Sequence, residues 1–190
     1  EKAVVAEFTK RLAVAAKALV VGPGLNDGVQ MGPAVSASQR DTDLSYVEIA
    51  SEEGATVVAG GTAGAGNGYF VTPTVIANVR PDMRIAQEEV FGPVLCMQTF
   101  KTDAEAIEMA NETEFGLAAI LVSGNKERAE RVAKGLVAGT IWVNCFFVRD
   151  LRAPFGGSKK SGIGREGGNW SFDFYADVKN TVFSPNGWKE

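Results

Sequence analysis

Residues 94–143 run VLCMQTFKTDAEAIEMANETEFGLAAILVSGNKERAERVAKGLVAGTIWV and alternate between two hydrophobic periods. Val94 to Thr99 is a short apolar run that reads as a strand. Thr102 followed by Glu105 is a capping box, opening a helix through Ala106, Ile107 and Ala110. Ala118 to Val122 is nearly all apolar and reads as a second strand. Asn125 suits the cap of a helix carrying Ala129, Val132, Ala133 and Leu136. Gly139 then gives way to Thr140-Ile141-Trp142-Val143, apolar again. Strand, helix, strand, helix, strand, with the later strands apolar on both faces, predicts a buried parallel sheet covered by helices. The expected class is α/β, with a mostly parallel sheet between helix layers.

Toward the N-terminus, Val5, Phe8, Leu12, Ala15 and Leu19 recur every three or four positions, which predicts an amphipathic helix. The loop Gly22-Pro23-Gly24 to Gly28 ends it. Ser36 with Gln39 opens another helix, expected to carry Leu44, Val47 and Ile49 and to stop at Gly54. Thr56 to Ala59 is a short β-branched run. The glycine-rich stretch from Gly60 to Gly68 has no large side chain and reads as a surface turn. Phe70 to Ile76 is extended, and Pro73 within it points to an edge strand. Toward the C-terminus, Arg149 to Gly168 is a glycine- and arginine-rich loop, too polar for core. Val178 to Phe183 alternates enough for a terminal strand.

The chain has 190 residues, with Lys plus Arg at 19 against Asp plus Glu at 23. This acidic balance argues against nucleic acid or an anionic membrane as the main partner. No apolar run is long enough to cross a bilayer. There is no histidine, so a Ser-His-Asp triad, a histidine general base and a His-based zinc site are excluded within these residues. Cys96 and Cys145 are too few for a disulfide framework and have no metal-ligand spacing; a reducing, cytoplasmic setting is expected. Each stands among apolar residues at a strand end, the setting of a small buried hydrophobe. The opening Glu1-Lys2-Ala3-Val4-Val5 reads as mid-helix, without initiator Met or cap, and suggests a fragment.

Three constellations carry possible chemistry. Gly162-Ile163-Gly164-Arg165-Glu166-Gly167 has the spacing of a dinucleotide loop but lacks the feeding strand and the later acidic residue, so chance is the better explanation. Glu88 and Glu89 before Val90-Phe91-Gly92-Pro93 are either solvated acids in a turn or a diol acceptor beside a flat apolar face; spacing does not choose. Arg149 and Arg152 flank Asp150 after an apolar strand, either as a surface ion-pair cluster or as a fork for a carboxylate.

Several spaced motifs then resemble the aldehyde dehydrogenase superfamily over essentially the whole chain. They are Gln30-Met31-Gly32-Pro33, Gly68-Tyr69-Phe70-Val71-Thr72-Pro73-Thr74, Glu88-Glu89-Val90-Phe91-Gly92-Pro93-Val94, and Ala110-Asn111 with Phe115-Gly116-Leu117. The most specific is Pro154-Phe155-Gly156-Gly157-Ser158-Lys159-Lys160-Ser161-Gly162-Ile163-Gly164-Arg165-Glu166. The resemblance implies the C-terminal part of that family's catalytic domain over residues 1–176, with an oligomerisation strand and tail over 177–190. It implies a three-layer α/β/α fold and a NAD or NADP cofactor in the full-length enzyme. It further implies a homodimer or homotetramer when full length, and oxidation of an aldehyde to the acid through a Cys thioester.

By the same resemblance, Glu89 binds the nicotinamide ribose hydroxyls and Phe91 packs on the nicotinamide. Phe155 walls the aldehyde tunnel, and Phe146 to Arg152, with Phe147, Arg149 and Arg152, lines its mouth. Gly156 to Gly164 has a structural role. The nucleophilic Cys and the general-base Glu have no counterpart here, because Cys96 and Cys145 stand outside the family's Cys motif. No catalytic residue is therefore assigned, and the chain alone is expected to be inactive. The segments 146–152 and 167–175 resemble hydroxymuconic semialdehyde dehydrogenases of aromatic degradation, including those for carboxymethyl-substituted substrates. That points to a carboxylate-bearing semialdehyde. The alternative is a non-catalytic binding or assembly module of the same fold.

Overall fold

Two adjacent apolar residues, Val75 and Ile76, organise the first half of the chain by pointing to opposite faces of one strand. The computed structural model describes residues 1–185 and 187, and the chain divides into two units, Glu1–Thr113 and Glu114–Glu190. The first unit contains α1 (Val5–Ala18), α2 (Ala37–Glu52), β1 (Thr56–Ala59), β2 (Thr74–Ala77), α3 (Arg84–Gln87), β3 (Val94–Cys96) and α4 (Asp103–Glu112). Its sheet has the order β1-β2-β3. β1 runs antiparallel to β2, and β3 runs parallel to it with Val75 opposite Leu95 and Ile76 opposite Cys96.

Because side chains alternate along a strand, Ile76 packs with Val47, Ala50, Val79, Met83 and Ile85 under α2 and α3. Val75 packs on the other face with Ala16, Ala59 and Met97, against Leu12 and Ala13 of α1. The first unit is therefore a helix–sheet–helix sandwich.

The second unit contains β4 (Phe115–Gly116), β5 (Ala118–Leu121), α5 (Lys126–Gly135), β6 (Thr140–Val143), β7 (Ser158–Lys159) and α6 (Gly168–Tyr175). β5 and β6 are parallel, with Ile120 opposite Trp142, and α5 forms the crossover between them. β4 and β7 are antiparallel.

The three predicted caps are formed. Ser36 accepts from the Gln39 N–H at 3.1 Å, Thr102 from Glu105 at 3.2 Å and Asn125 from Arg128 at 2.7 Å. Each satisfies one of the amides that a helix start leaves without an internal partner. Asn125→Ala is expected to lower the stability of the second unit by about 1 kcal/mol in urea unfolding. No change in the midpoint would show that the cap contributes nothing.

Four expectations are corrected. β2 lies at the centre of its sheet, not at an edge, because the strand begins at Thr74, after Pro73, and the missing donor falls outside the ladder. The parallel strands β5 and β6 are incompletely covered: α5 buries Ala129 and Val132 and Trp142 is buried, while Ile120 and Val143 are exposed. α2 carries Leu44, Val47 and Ile49 as expected, and its buried face is Asp43–Val47–Ala50, with Leu44 and Ile49 half-buried beside it. On α1, Phe8 is exposed, as is Leu19 just past the helix end, and Ala16 is buried, because the sheet contacts the neighbouring stripe of the helix.

Residues 178–183 form no strand among the described residues, and Val178 and Val182 are exposed. Alternation prepares a segment for pairing, but a neighbouring strand must supply the ladder. Of the tail predicted over 177–190, residues 186 and 188–190 lie outside the described residues.

Candidate functional site

The segment from Glu88 to Pro93 leaves α3 and returns to the sheet as β3, so both of its ends are anchored. At its start Glu88 is fully occupied. Arg84 donates to it through Nε and Nη2 at 2.9 and 2.8 Å, and the Tyr46 hydroxyl donates to its Oε2. The Arg84 guanidinium also lies 5.5 Å from the Tyr46 ring centroid. The hydrogen bonds from Arg84, then that from Tyr46, hold the Glu88 carboxyl down at about 2.

A depressed carboxylate pKa stabilises the fold above the ordinary value of 4.5, and that contribution is lost as pH falls toward about 2. In a carboxyl NMR titration Glu88 is expected to titrate near 2, and Arg84→Met to move its midpoint back toward 4.5. An unchanged midpoint would rule out the clamp.

Glu89, by contrast, makes no hydrogen bond or ion pair among the described residues. Sequence spacing left the two acids equivalent; the structure separates them into a structural one and an available one. Phe91 follows, a residue 80% exposed with its backbone at φ +61°. A bulky residue in the left-handed region is strained, and such strain persists only where neighbours enforce it. Pro93 accepts from the Thr74 N–H at 2.9 Å. Gln39 donates its side-chain amide both to the Val90 carbonyl at 2.9 Å and to Asp43 at 2.7 Å. The loop separates two cavities. One, of about 500 Å³, is lined by Ile85, Glu88, Glu89, Val90, Phe91 and Cys96 among others. The other, of about 520 Å³, is lined by Met31, Pro33, Gln39, Asp43, Phe91 and Gly92 among others.

In the second unit Trp142, Phe146 and Phe147 form an aromatic cluster with centroids 5.7–6.0 Å apart. The Trp142 indole donates to the Val148 carbonyl at 2.9 Å, which folds the chain after β6 back on itself. The Arg149 guanidinium lies 4.1 Å from the Phe155 ring centroid and 3.5 Å from the Glu166 carboxylate. Phe155 and Glu166 exchange two backbone hydrogen bonds of 2.8 Å. Arg152 is paired elsewhere, gripping Asp150 at 2.9 and 2.6 Å and holding that carboxyl below its usual range. Thus Arg149 and Phe155 meet, while Arg152 is committed to a neighbour two residues away.

The glycines from Gly156 to Gly164 allow bare backbones to touch. Arg165 staples the loop by donating to the Gly157 and Gly164 carbonyls at 2.7 Å. Cys96 is half-buried, and burial pushes its thiol up to about 11, far from a thiolate at neutral pH. Cys145 is exposed, contrary to the expectation of a small buried hydrophobe.

Set beside known proteins, these residues have many counterparts. The sequence profile of the aldehyde dehydrogenase family matches residues 1–181. The chain belongs to the aldehyde dehydrogenase family. It is 40% identical to the chloroplastic betaine aldehyde dehydrogenase of Atriplex hortensis, covering 98% of this chain and 38% of that protein. It is 43% identical to peroxisomal aminoaldehyde dehydrogenase 2 of Pisum sativum, covering 95% and 36%. The solved NAD+ complex of an aldehyde dehydrogenase from Bacillus cereus matches with a TM-score of 0.91 at 41% identity, over 94% of this chain and 36% of that one.

The chain therefore spans under two-fifths of the length of these relatives, and its α/β fold is that of the family's catalytic domain. The relatives are named for betaine aldehyde and aminoaldehydes, whereas the sequence reading pointed to hydroxymuconic semialdehydes. No described helix is long and apolar enough to cross a membrane.

Sequence reasoning missed Tyr46, Gln39, Asp43 and Glu166. Arg84 and Glu88 stand at i and i+4, a spacing that signals a helical ion pair. Asp43 sits four residues before Val47 on the buried stripe of α2, a second readable signal. Tyr46 and Glu166 reach their partners only through tertiary contact.

Proposed function

We propose that this aldehyde dehydrogenase family chain provides the nicotinamide end and the substrate-tunnel wall of an enzyme that oxidises an aldehyde to its acid with NAD or NADP. The observation that carries this is the pairing of an unengaged Glu89 carboxylate with the exposed, conformationally held Phe91 face beside a cavity of about 500 Å³. A nicotinamide riboside asks for an acceptor of two hydroxyl hydrogens and a flat apolar surface, and these two residues fit it. Nicotinamide, when bound, accepts the hydride leaving the aldehyde carbon. Glu89 accepts from the ribose hydroxyls, Phe91 supports the ring, and Glu88 keeps the loop in place through Arg84 and Tyr46. Localisation to the cytoplasm and a homodimeric or homotetrameric enzyme belong to the same proposal.

On the substrate side we assign Phe147, Arg149, Arg152 and Phe155 to the tunnel. Arg149 is the one suited to a substrate carboxylate, since its ion pair with Glu166 is long at 3.5 Å, whereas Arg152 is already held bidentately by Asp150. The names of the relatives favour ammonium-bearing aldehydes, so Arg149 is the residue that decides between the two chemistries.

The test is NAD+ binding and aldehyde-dependent NADH formation by the intact enzyme carrying this sequence, with betaine aldehyde, an aminoaldehyde and an acidic semialdehyde compared. Arg149→Ala is expected to raise KM for the acidic semialdehyde at least tenfold more than for a neutral aldehyde. Equal effects would remove the carboxylate role. The 190-residue chain alone is expected to form no NADH, and steady formation by it would overturn that part of the proposal.

A further inference from the structure

Asp43 stands out among the buried residues. It is fully buried on the inner stripe of α2, yet carries a carboxyl. One oxygen accepts the Gln39 amide at 2.7 Å, and the other has no hydrogen-bond partner. Among the described residues no cation pairs with it, so its charge is not compensated there. Burial pushes the carboxyl up, and the hydrogen bond from Gln39 only partly offsets this. A buried polar group with an unsatisfied oxygen costs stability unless something is gained from it. Its surroundings show what that is. The carboxyl lies against Gly92, where a Cβ would sit 2.2–2.5 Å from its atoms. Its partner Gln39 spends its second amide hydrogen on the Val90 carbonyl. Asp43 thus touches both sides of Phe91, directly through Gly92 and indirectly through Gln39 to Val90.

We propose that Asp43 is a positioning residue for the Glu89–Phe91 segment: its carboxyl orients the Gln39 amide so that α2 holds the Val90–Gly92 backbone in the strained turn that presents Glu89 and Phe91. An amide has two hydrogens about 120° apart, and fixing one on Asp43 aims the other at Val90. Without that acceptor, Gln39 has other rotamers to occupy and the loop loses its hold at Val90. A valine of similar volume fills the space without supplying the acceptor, whereas asparagine supplies it. The link between this latch and cofactor binding rests on the reading of Glu89 and Phe91 given above; the latch itself does not.

The experiment is amide hydrogen exchange on the full chain. The Val94 and Thr74 amides report the loop, since they donate to Gly92 and Pro93; the Met97 amide, which donates to Ile76 in the sheet, serves as control. Asp43→Val and Gln39→Leu are each expected to speed exchange at Val94 and Thr74 at least tenfold, leaving Met97 unchanged. The double variant should add nothing beyond either single one, and Asp43→Asn should retain native protection.

The proposal is overturned if Asp43→Val protects the loop as the native residue does, if Asp43→Asn is as loose as Asp43→Val, or if the two single effects add. Should Asp43→Val fail to fold, Asp43→Asn against Gln39→Leu decides alone: protection in the first and loss in the second supports the latch, and any other result overturns it. NAD+ affinity of the intact enzyme is measured alongside. If the native enzyme does not bind NAD+, the functional reading falls while the exchange result still decides the latch.

Discussion

Glu89→Ala is expected to weaken NAD+ binding by about a hundredfold in the intact enzyme, and Glu88→Ala by much less. The two carboxylates are adjacent in sequence, and only their partners separate them. Glu88 already accepts three hydrogen bonds, two from Arg84 and one from Tyr46. Its removal loosens the turn but takes no contact from the ligand. Glu89 is unengaged, and its carboxylate is the acceptor available for a diol. Hydrogen bonds to a charged acceptor are the stronger kind, and losing two of them is worth about two decades of affinity. Calorimetric titration of NAD+ into native enzyme and both variants measures this. Equal losses, or the larger loss at Glu88, would reverse the assignment.

The largest stability effect is expected at Gly139. A Cβ there would lie 1.6 Å from the Gly156 carbonyl oxygen and 2.8 Å from its carbon. Backbone cannot step aside as a side-chain tip can, so Gly139→Ala must separate the start of β6 from the glycine loop that closes over it. Overpacking of this kind costs about 3 kcal/mol. The same substitution at Gly124 is the control, since a Cβ there meets nothing within 4 Å. Urea unfolding of both variants tests the contrast. A midpoint for Gly139→Ala close to that of Gly124→Ala would show that the backbones do not approach as described. The same close approach gives Gly156 a packing role against the start of β6.

Local signals were legible wherever the physics is local. Ser36, Thr102 and Asn125 cap the helices they were expected to cap, because a side-chain oxygen three residues from an unpaired amide needs nothing else from the fold. The strand–helix–strand alternation from Val94 to Val143 identified the α/β class, because period and turn chemistry are written into neighbouring residues. The failures have one cause. Pro73 suggested an edge strand because its missing donor counts only if it lies inside the ladder, and the ladder begins one residue later. Phe8 and Leu19 suggested the buried stripe of α1, but which of two apolar stripes meets the sheet is decided by the sheet. Val178 to Phe183 has the alternation of a strand and no ladder among the described residues.

The candidate site divides in the same way. Sequence alone determined the residue types: an acidic pair before Val90-Phe91-Gly92-Pro93, arginines in a glycine-rich loop, no histidine, and motifs resembling one enzyme family. The i, i+4 spacing of Arg84 and Glu88 signals their ion pair, but sequence could not say that Tyr46 also closes on Glu88 while Glu89 is left available. Nor could it say that Arg152 is spent on Asp150 while Arg149 stacks on Phe155, or that a buried Asp43 stands behind the whole loop. Those distinctions depend on distances of a few ångströms between residues up to 51 positions apart, such as Gln39 and Val90. Hydrogen bonds and close packing act only at such distances, so a residue's chemistry can be read from the chain, but its availability is set by the neighbours that folding brings to it.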